Sequence, residues 1–120
     1  MGTLILVDDD RSSSTLLKML LEMDGFDVTV CPNAETAAAA AANGVDAFII
    51  DIYLAQGESG LDLVQAIRSG ITPASKDCPV VVTSGDERRR GDAERSGATT
   101  FLLKPFSPSQ LSELISQLVA

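Results

Sequence analysis

Four aspartates stand where they could hold a metal ion. Asp8, Asp9 and Asp10 directly follow the apolar run Leu4-Ile5-Leu6-Val7, and Asp51 ends a second run, Phe48-Ile49-Ile50. Short apolar runs of this kind read as buried parallel strands, and the carboxylates would then share the edge formed by the strands' C-terminal ends. Converging carboxylates repel one another unless a cation offsets them. A hard divalent ion such as Mg²⁺ is suited to this, because it takes oxygen ligands, keeps several waters and binds phosphate oxygens. The chemistry suggested is metal-assisted phosphoryl transfer.

Two further runs end in groups that fit the same chemistry. Val80-Val81-Val82 leads into Thr83-Ser84-Gly85 and brings hydroxyls, and Phe101-Leu102-Leu103 leads into Lys104-Pro105-Phe106 and brings an ammonium. Around one cation, a carboxylate can act as nucleophile, metal and lysine can offset charge on the phosphoryl oxygens, and a hydroxyl can donate a hydrogen bond. Taken singly these residues mean little: Asp10 reads as a helix N-cap, Ser84 as a turn residue and Lys104 as a solvated charge. Their common place at strand ends is what joins them.

Positioning them requires a parallel sheet. Apolar runs recur at residues 3–7, 26–30, 46–50, 79–83 and 99–103. Segments of helical period separate them, marked by Leu16, Leu17, Leu20 and Leu21, by Ala37 to Ala42, by Leu61, Val64 and Ile67, and by Leu111, Leu114, Ile115 and Leu118. Strict β-α alternation predicts a mostly parallel sheet with helices on both faces and right-handed crossovers. Ligands of such sheets bind at the carboxyl ends of the strands, where strand order reverses. If the first and third strands are neighbours, Asp8, Asp9 and Asp51 meet there.

Punctuation supports the element ends. Ser107-Pro108-Ser109-Gln110 is a capping box with proline at the first helical position. Asn43-Gly44 and Ser96-Gly97 close the second and fourth helices. Residues 86–95 form the weakest helix, with only Ala93 to bury and Gly91 interrupting, and are expected to be short, mobile or both. Residues 70–77 read as a polar loop.

Composition excludes several functions. The 120 residues fit one domain, 1–120, with a core that needs no disulfide or metal staple. A net charge of −8 disfavours nucleic acid and anionic membrane as partners. No apolar stretch approaches the roughly 20 residues of a membrane span, and the N-terminus is unlike a signal peptide, so the expected location is cytoplasmic. With no histidine, the usual zinc spacings and Cys/His or Ser/His pairs are ruled out, and Cys31 and Cys78 read as buried, reduced and structural. Met1 just before the first strand suggests a free-standing protein.

Over essentially its whole length the chain resembles the receiver domains of two-component response regulators. The resemblance is carried by Val7-Asp8-Asp9, by Asp51, by Ser84-Gly85 and by Lys104-Pro105-Phe106, in that order and at this spacing. It implies a flavodoxin-like, doubly wound sheet of five parallel strands in the order 2-1-3-4-5. By resemblance, Asp51 is the phosphoacceptor, taking its phosphoryl group from the phosphohistidine of a sensor histidine kinase or a histidine phosphotransfer protein. Asp9 would be a direct Mg²⁺ ligand, Asp8 its helper, and Tyr53 the donor of a backbone carbonyl. Lys104 would contact phosphoryl oxygens, with a cis bond to Pro105 being common in the family. Ser84, five residues after Pro79 and before Gly85, matches the switch hydroxyl, with Thr83 the choice if the register is one residue off. Phe101 matches an aromatic that moves inward with the switch, or else is a plain core residue. Tyr53 and Asp86 also match positions that tune phosphoryl lifetime.

Two features depart from the family pattern. The loop at residues 54–60 is one residue longer than usual, with Ala55 in place of a proline, and residues 86–95 are shorter and more polar than the usual fourth helix. Arg88-Arg89-Arg90 in that segment reads as a solvated run or as a contact for an acidic partner. The expected role is a phosphorylation-controlled module with an unknown downstream protein partner, a relay to a phosphotransfer protein, or a phosphate sink. The alternative is a haloacid dehalogenase-type phosphohydrolase using Asp8 as nucleophile and Asp10 beside it, which lacks the acidic pair after the lysine strand and a cap domain. No Gly-rich phosphate loop follows the first strand, which disfavours a nucleotide-binding fold.

Overall fold

A computed structural model describes residues 2–120. Strand β1 is Thr3–Val7, helix α1 Arg11–Met23, β2 Asp27–Cys31, α2 Ala34–Ala40, β3 Ala47–Asp51, α3 Gly60–Arg68, β4 Val80–Ser84, α4 Arg90–Ser96, β5 Thr100–Leu103 and α5 Pro108–Val119. Short 3-10 turns occupy Ala41–Asn43, Ala55–Gly57 and Glu87–Arg89. All four strand pairings are parallel, in the order β2-β1-β3-β4-β5. Strand order therefore reverses between β1 and β3, which are direct neighbours, as the site requires.

Period-two alternation divides the strand side chains between two cores. Ile5, Val7, Phe48, Ile50, Val80, Val82 and Phe101 pack against α2, α3 and α4, while Leu4, Leu6, Ala47, Ile49, Val81 and Leu102 face α1 and α5. Both faces are covered, so β1 is apolar after its first residue, Thr3, and β3 and β4 carry no polar residue until their last positions. Each large aliphatic side chain buried here contributes about 1.5–3 kcal/mol of apolar transfer, which fixes the strands, and with them the carboxylates that follow.

Helix ends follow local chemistry. Asp10 caps α1 by accepting the Ser13 N–H, Asn33 caps α2 through Thr36, Ser59 caps α3 through Leu61, and Ser107 caps α5 through Gln110. Helix α4 is only seven residues long and buries Ala93 and Ser96, the short element expected of its polar sequence. Gly97 ends it in the left-handed region, φ 106°.

Strands β2, β3 and β4 run one residue later than the apolar runs suggest. The Phe26 N–H is engaged with the Leu21 carbonyl at the end of α1, so the ladder begins at Asp27. Pro79 has no N–H to offer and β4 starts at Val80. Arg68 was invisible in the sequence. Its guanidinium donates to the carbonyls of Gly97, Lys76 and Cys78 at 2.8, 2.8 and 2.6 Å and to the Thr99 hydroxyl at 3.2 Å, stitching the loop before β4 to the turn before β5.

Candidate functional site

Asp8 follows β1 and is buried at 7% exposure, with Oδ1 accepting the Asp10 N–H at 3.0 Å. Asp9 is exposed beside it, and Asp51 is the last residue of β3. One carboxylate oxygen from each of Asp8, Asp9 and Asp51 lies within 4.8 Å of the other two. Asp10 is not in this group, because its carboxylate caps α1. The second aspartate of the hydrolase alternative is thus occupied in holding a helix end.

Lys104 follows β5, and its N–H extends the ladder to the Ser84 carbonyl at 2.9 Å. Its Nζ lies 3.1 Å from Asp51 Oδ2 and 4.0 Å from Asp8 Oδ2. The Lys104-Pro105 peptide bond is cis. One ammonium faces three carboxylates, so the cluster keeps an excess of negative charge. Burial raises the Asp51 carboxyl above its ordinary pKa, Lys104 beside it works the other way, and the neighbouring Asp8 charge adds to the rise. Hard oxygen donors, convergence within 4.8 Å and uncompensated negative charge fit a hard divalent cation.

The chain after Asp51 is held by a narrow turn. Tyr53 opposes Ser59 in an isolated antiparallel bridge, flanked by bonds from the Leu54 N–H to the Glu58 carbonyl and from the Gly60 N–H to the Ile52 carbonyl. In such a bridge the backbone N–H and C=O of Tyr53 point away from Ser59. The N–H is directed at the Asp51 carboxylate, whose pKa it lowers slightly. In extended backbone a residue's N–H and C=O leave on the same side, so the Tyr53 carbonyl also faces the acidic cluster. The extra loop residue is absorbed in the 3-10 turn Ala55–Gly57, where Gln56 adopts φ 62°. Glu58 then reaches α2 and accepts the Ala34 N–H at 2.7 Å.

Both hydroxyls at the end of β4 are buried, on opposite faces. Thr83 is the register partner of Asp51 and shares its face. Ser84 lies on the face of Val82 and Phe101, toward α4, and its Oγ accepts the Asp86 N–H at 3.1 Å. Phe101 is buried at 7% exposure with the Arg90 guanidinium 4.7 Å above its ring.

The three arginines after β4 each have partners within the chain. Arg88 pairs with Asp86, Arg89 with Asp92 and the Tyr53 hydroxyl, and Arg90 with Glu87 and the Phe101 ring. Arg88 and Arg90 are solvent-exposed and Arg89 is half-buried, so the run is largely solvated, with its charges paired within the chain. The acidic partners are local, two or three residues away, whereas the contacts with Tyr53 and Phe101 depend on β3, β4 and β5 being adjacent and leave no sequence period.

A parallel sheet of this order, with acidic and lysine side chains at its switch point, defines the class of CheY-like receiver folds. The chain belongs to the response regulator receiver domain family, which it matches over residues 4–116. It is 34% identical to the transcriptional regulatory protein CpxR of Escherichia coli K12 over 113 residues, covering 92% of this chain and 46% of that protein. The chain thus spans about half the length of this curated relative. A putative response regulator from Chloroflexus aurantiacus has a similar structure, with a TM-score of 0.87 at 28% identity, covering 98% of this chain and 97% of that one. The receiver domain of a sensor histidine kinase from Pseudomonas aeruginosa PAO1, with a magnesium ion coordinated in its active-site cleft, shares the fold at a TM-score of 0.86 and 21% identity, covering 98% and 97%. The family match does not favour the hydrolase alternative. Among the described residues no helix is long and apolar enough to cross a membrane.

Proposed function

We propose that this chain, as one receiver domain over residues 1–120, takes a phosphoryl group from a phosphohistidine partner onto Asp51 and switches its binding to a downstream protein. The observation that carries this is the convergence of Asp8, Asp9 and Asp51 within 4.8 Å, with the Lys104 ammonium 3.1 Å from Asp51, at the carboxyl edge of the sheet. Asp8, Asp9, Asp51 and the Tyr53 carbonyl would hold Mg²⁺. When bound, the ion would offset negative charge on the carboxylates and on the incoming phosphoryl oxygens.

The chain's own residues do the rest. An Asp51 oxygen attacks phosphorus, the phosphorus–nitrogen bond to the partner's histidine breaks, and the electron pair returns to the imidazole nitrogen, which takes up a proton. Lys104, now drawn to the carboxylate, shifts its charge toward the transferred oxygens, where negative charge is spread in the transition state. Ser84 donates a hydrogen bond to a transferred phosphoryl oxygen and keeps its proton, since its oxygen accepts from the Asp86 N–H and its O–H is left to donate. Turning toward Asp51 would vacate its place beside Val82 and Phe101, coupling the site to the α4–β5 face. The protein on this reading catalyses only its own phosphorylation and dephosphorylation.

The partner is a sensor histidine kinase or a histidine phosphotransfer protein, in the cytoplasm. An apolar groove of about 570 Å³ lined by Leu16, Leu17, Leu20, Pro105, Phe106 and Pro108 opens beside Lys104 and offers it a surface next to the phosphoacceptor. Nucleic acid and membrane are not expected partners of a chain of charge −8. Intact-mass measurement with acetyl phosphate tests the reading. One phosphoryl adduct that requires Mg²⁺ and is lost in Asp51→Asn is expected. Equal adduct in chelator, or in Asp51→Asn, would contradict it.

A further inference from the structure

Tyr53 and Arg89 join two segments that leave the sheet side by side. Asp51 and Thr83 are register partners at the ends of β3 and β4. Tyr53 lies two residues beyond Asp51, and Arg89 ends the 3-10 turn that follows β4. The Arg89 Nη1 donates to the Tyr53 hydroxyl at 3.0 Å, and the guanidinium carbon lies 5.5 Å from the ring centroid. Asp92 holds the same guanidinium from behind, accepting from Nε at 2.8 Å. A hollow of about 230 Å³ lies beneath this link, walled by Tyr53, Leu54, Gly57, Ser59 and Arg89. The link thus spans the β3–β4 side of the crevice, and its tyrosine belongs to the loop that directs a backbone N–H at Asp51.

We propose that Arg89 is a positioning residue for the phosphoacceptor: by clasping Tyr53 it holds the β3–α3 loop against the turn after β4 and lengthens the life of the phosphoryl group on Asp51. The proposal rests on the phosphoacceptor reading above. Loss of the group is hydrolysis. A water oxygen attacks phosphorus, the bond from phosphorus to the Asp51 oxygen breaks, its electron pair stays on the carboxylate, and inorganic phosphate leaves with the water's oxygen while a proton passes to solvent. A fastened loop narrows the approach of that water and keeps the Tyr53 backbone in place. Arg89 acts only through Tyr53, so the two side chains should behave as one unit.

The test follows adduct decay by intact mass after removal of acetyl phosphate, in wild type, Arg89→Met, Tyr53→Phe, the double variant and Arg89→Lys. Either single variant should shorten the half-life about two- to fivefold, the scale of one partly exposed hydrogen bond and cation–π contact. The double variant should be no shorter-lived than the singles, and Arg89→Lys should fall between Arg89→Met and wild type. A second readout needs no phosphorylation. The chain has one tyrosine and no tryptophan, so its tyrosine emission is that of Tyr53, and Arg89→Met should raise quenching by acrylamide. Wild-type half-lives in both single variants, or fully additive effects in the double, would overturn the clasp while leaving the phosphoacceptor reading intact. Absence of any adduct on wild type would overturn that reading and the clasp's role with it.

Discussion

Gly60 is the first residue of α3, and there is no room for a side chain on it. A Cβ at this position would sit 2.1 Å from the Asp51 carbonyl oxygen and 2.6 Å from Ile50 Cγ2. Ordinary carbon–oxygen contact is about 3.3 Å, so Gly60→Ala must open the two backbones by more than about 1 Å. The Gly60 N–H bond to the Ile52 carbonyl, 2.7 Å long, lies in the path of that movement. Overpacking costs about 1–3 kcal/mol and a lost hydrogen bond about 0.5–1.5, and the better helix propensity of alanine returns up to about 1. The expected net loss is about 2–3 kcal/mol. Urea unfolding followed by circular dichroism would read this as a midpoint lowered by about 1–2 M at unchanged slope. Gly85→Ala is the control, since a Cβ there meets nothing within 4 Å. Since the displaced atom belongs to Asp51, phosphorylation of Gly60→Ala by acetyl phosphate should also slow. Stability within about 0.5 kcal/mol of wild type, the range of neutral surface changes, would refute the close approach of α3 to the phosphoacceptor strand.

Three further outcomes follow from the same geometry. Arg68→Met keeps the apolar stem but strips four hydrogen bonds, three of them from backbone carbonyls, and should cost about 2–4 kcal/mol in urea unfolding; Arg68→Lys should recover less than half, because an ammonium cannot reproduce the fork. Burial raises the Asp51 carboxyl, so its ionisation opposes folding: in the metal-free protein this group's contribution to stability is fully present below the unfolded carboxylate value and is lost as pH rises through the raised folded value. Asp51→Asn should therefore melt higher than wild type in chelator near neutral pH, with the gap closing as pH falls toward about 4; a variant that melts lower throughout would reverse the sign. Cys31 and Cys78 are buried at 4% and 5% exposure with thiols pushed up by burial, and neither should react with Ellman's reagent at neutral pH until the protein is unfolded.

Much of the site was legible because strands end in recognisable ways. Asp8, Asp9, Asp51 and Lys104 each follow an apolar run, and a strand buried in the sheet brings the polar side chain that ends it to the sheet's edge. The shortness of α4 was legible too, as Ala93 is the main apolar side chain that segment can bury. Arg68 was not, because its partners are carbonyls of Lys76, Cys78 and Gly97, and backbone acceptors leave no mark on side-chain pattern. Nor was the link from Arg89 to Tyr53, which exists only once β3 and β4 lie side by side. Thr83 and Ser84 are neighbours of like chemistry, and only the register with Asp51 and Phe101 assigns them to opposite faces. Strand starts shifted where a backbone N–H was already engaged at Phe26 or missing at Pro79, details below the resolution of an apolar run.

The most direct measurement is to locate the modified aspartate. Treating the protein with acetyl phosphate and Mg²⁺, reducing the acyl phosphate with borohydride and sequencing peptides by tandem mass spectrometry would convert the phosphorylated aspartate to homoserine. Homoserine at position 51 and unchanged aspartate at positions 8, 9 and 10 is the expected result. Homoserine at position 8 instead would contradict the receiver assignment and restore the phosphohydrolase alternative.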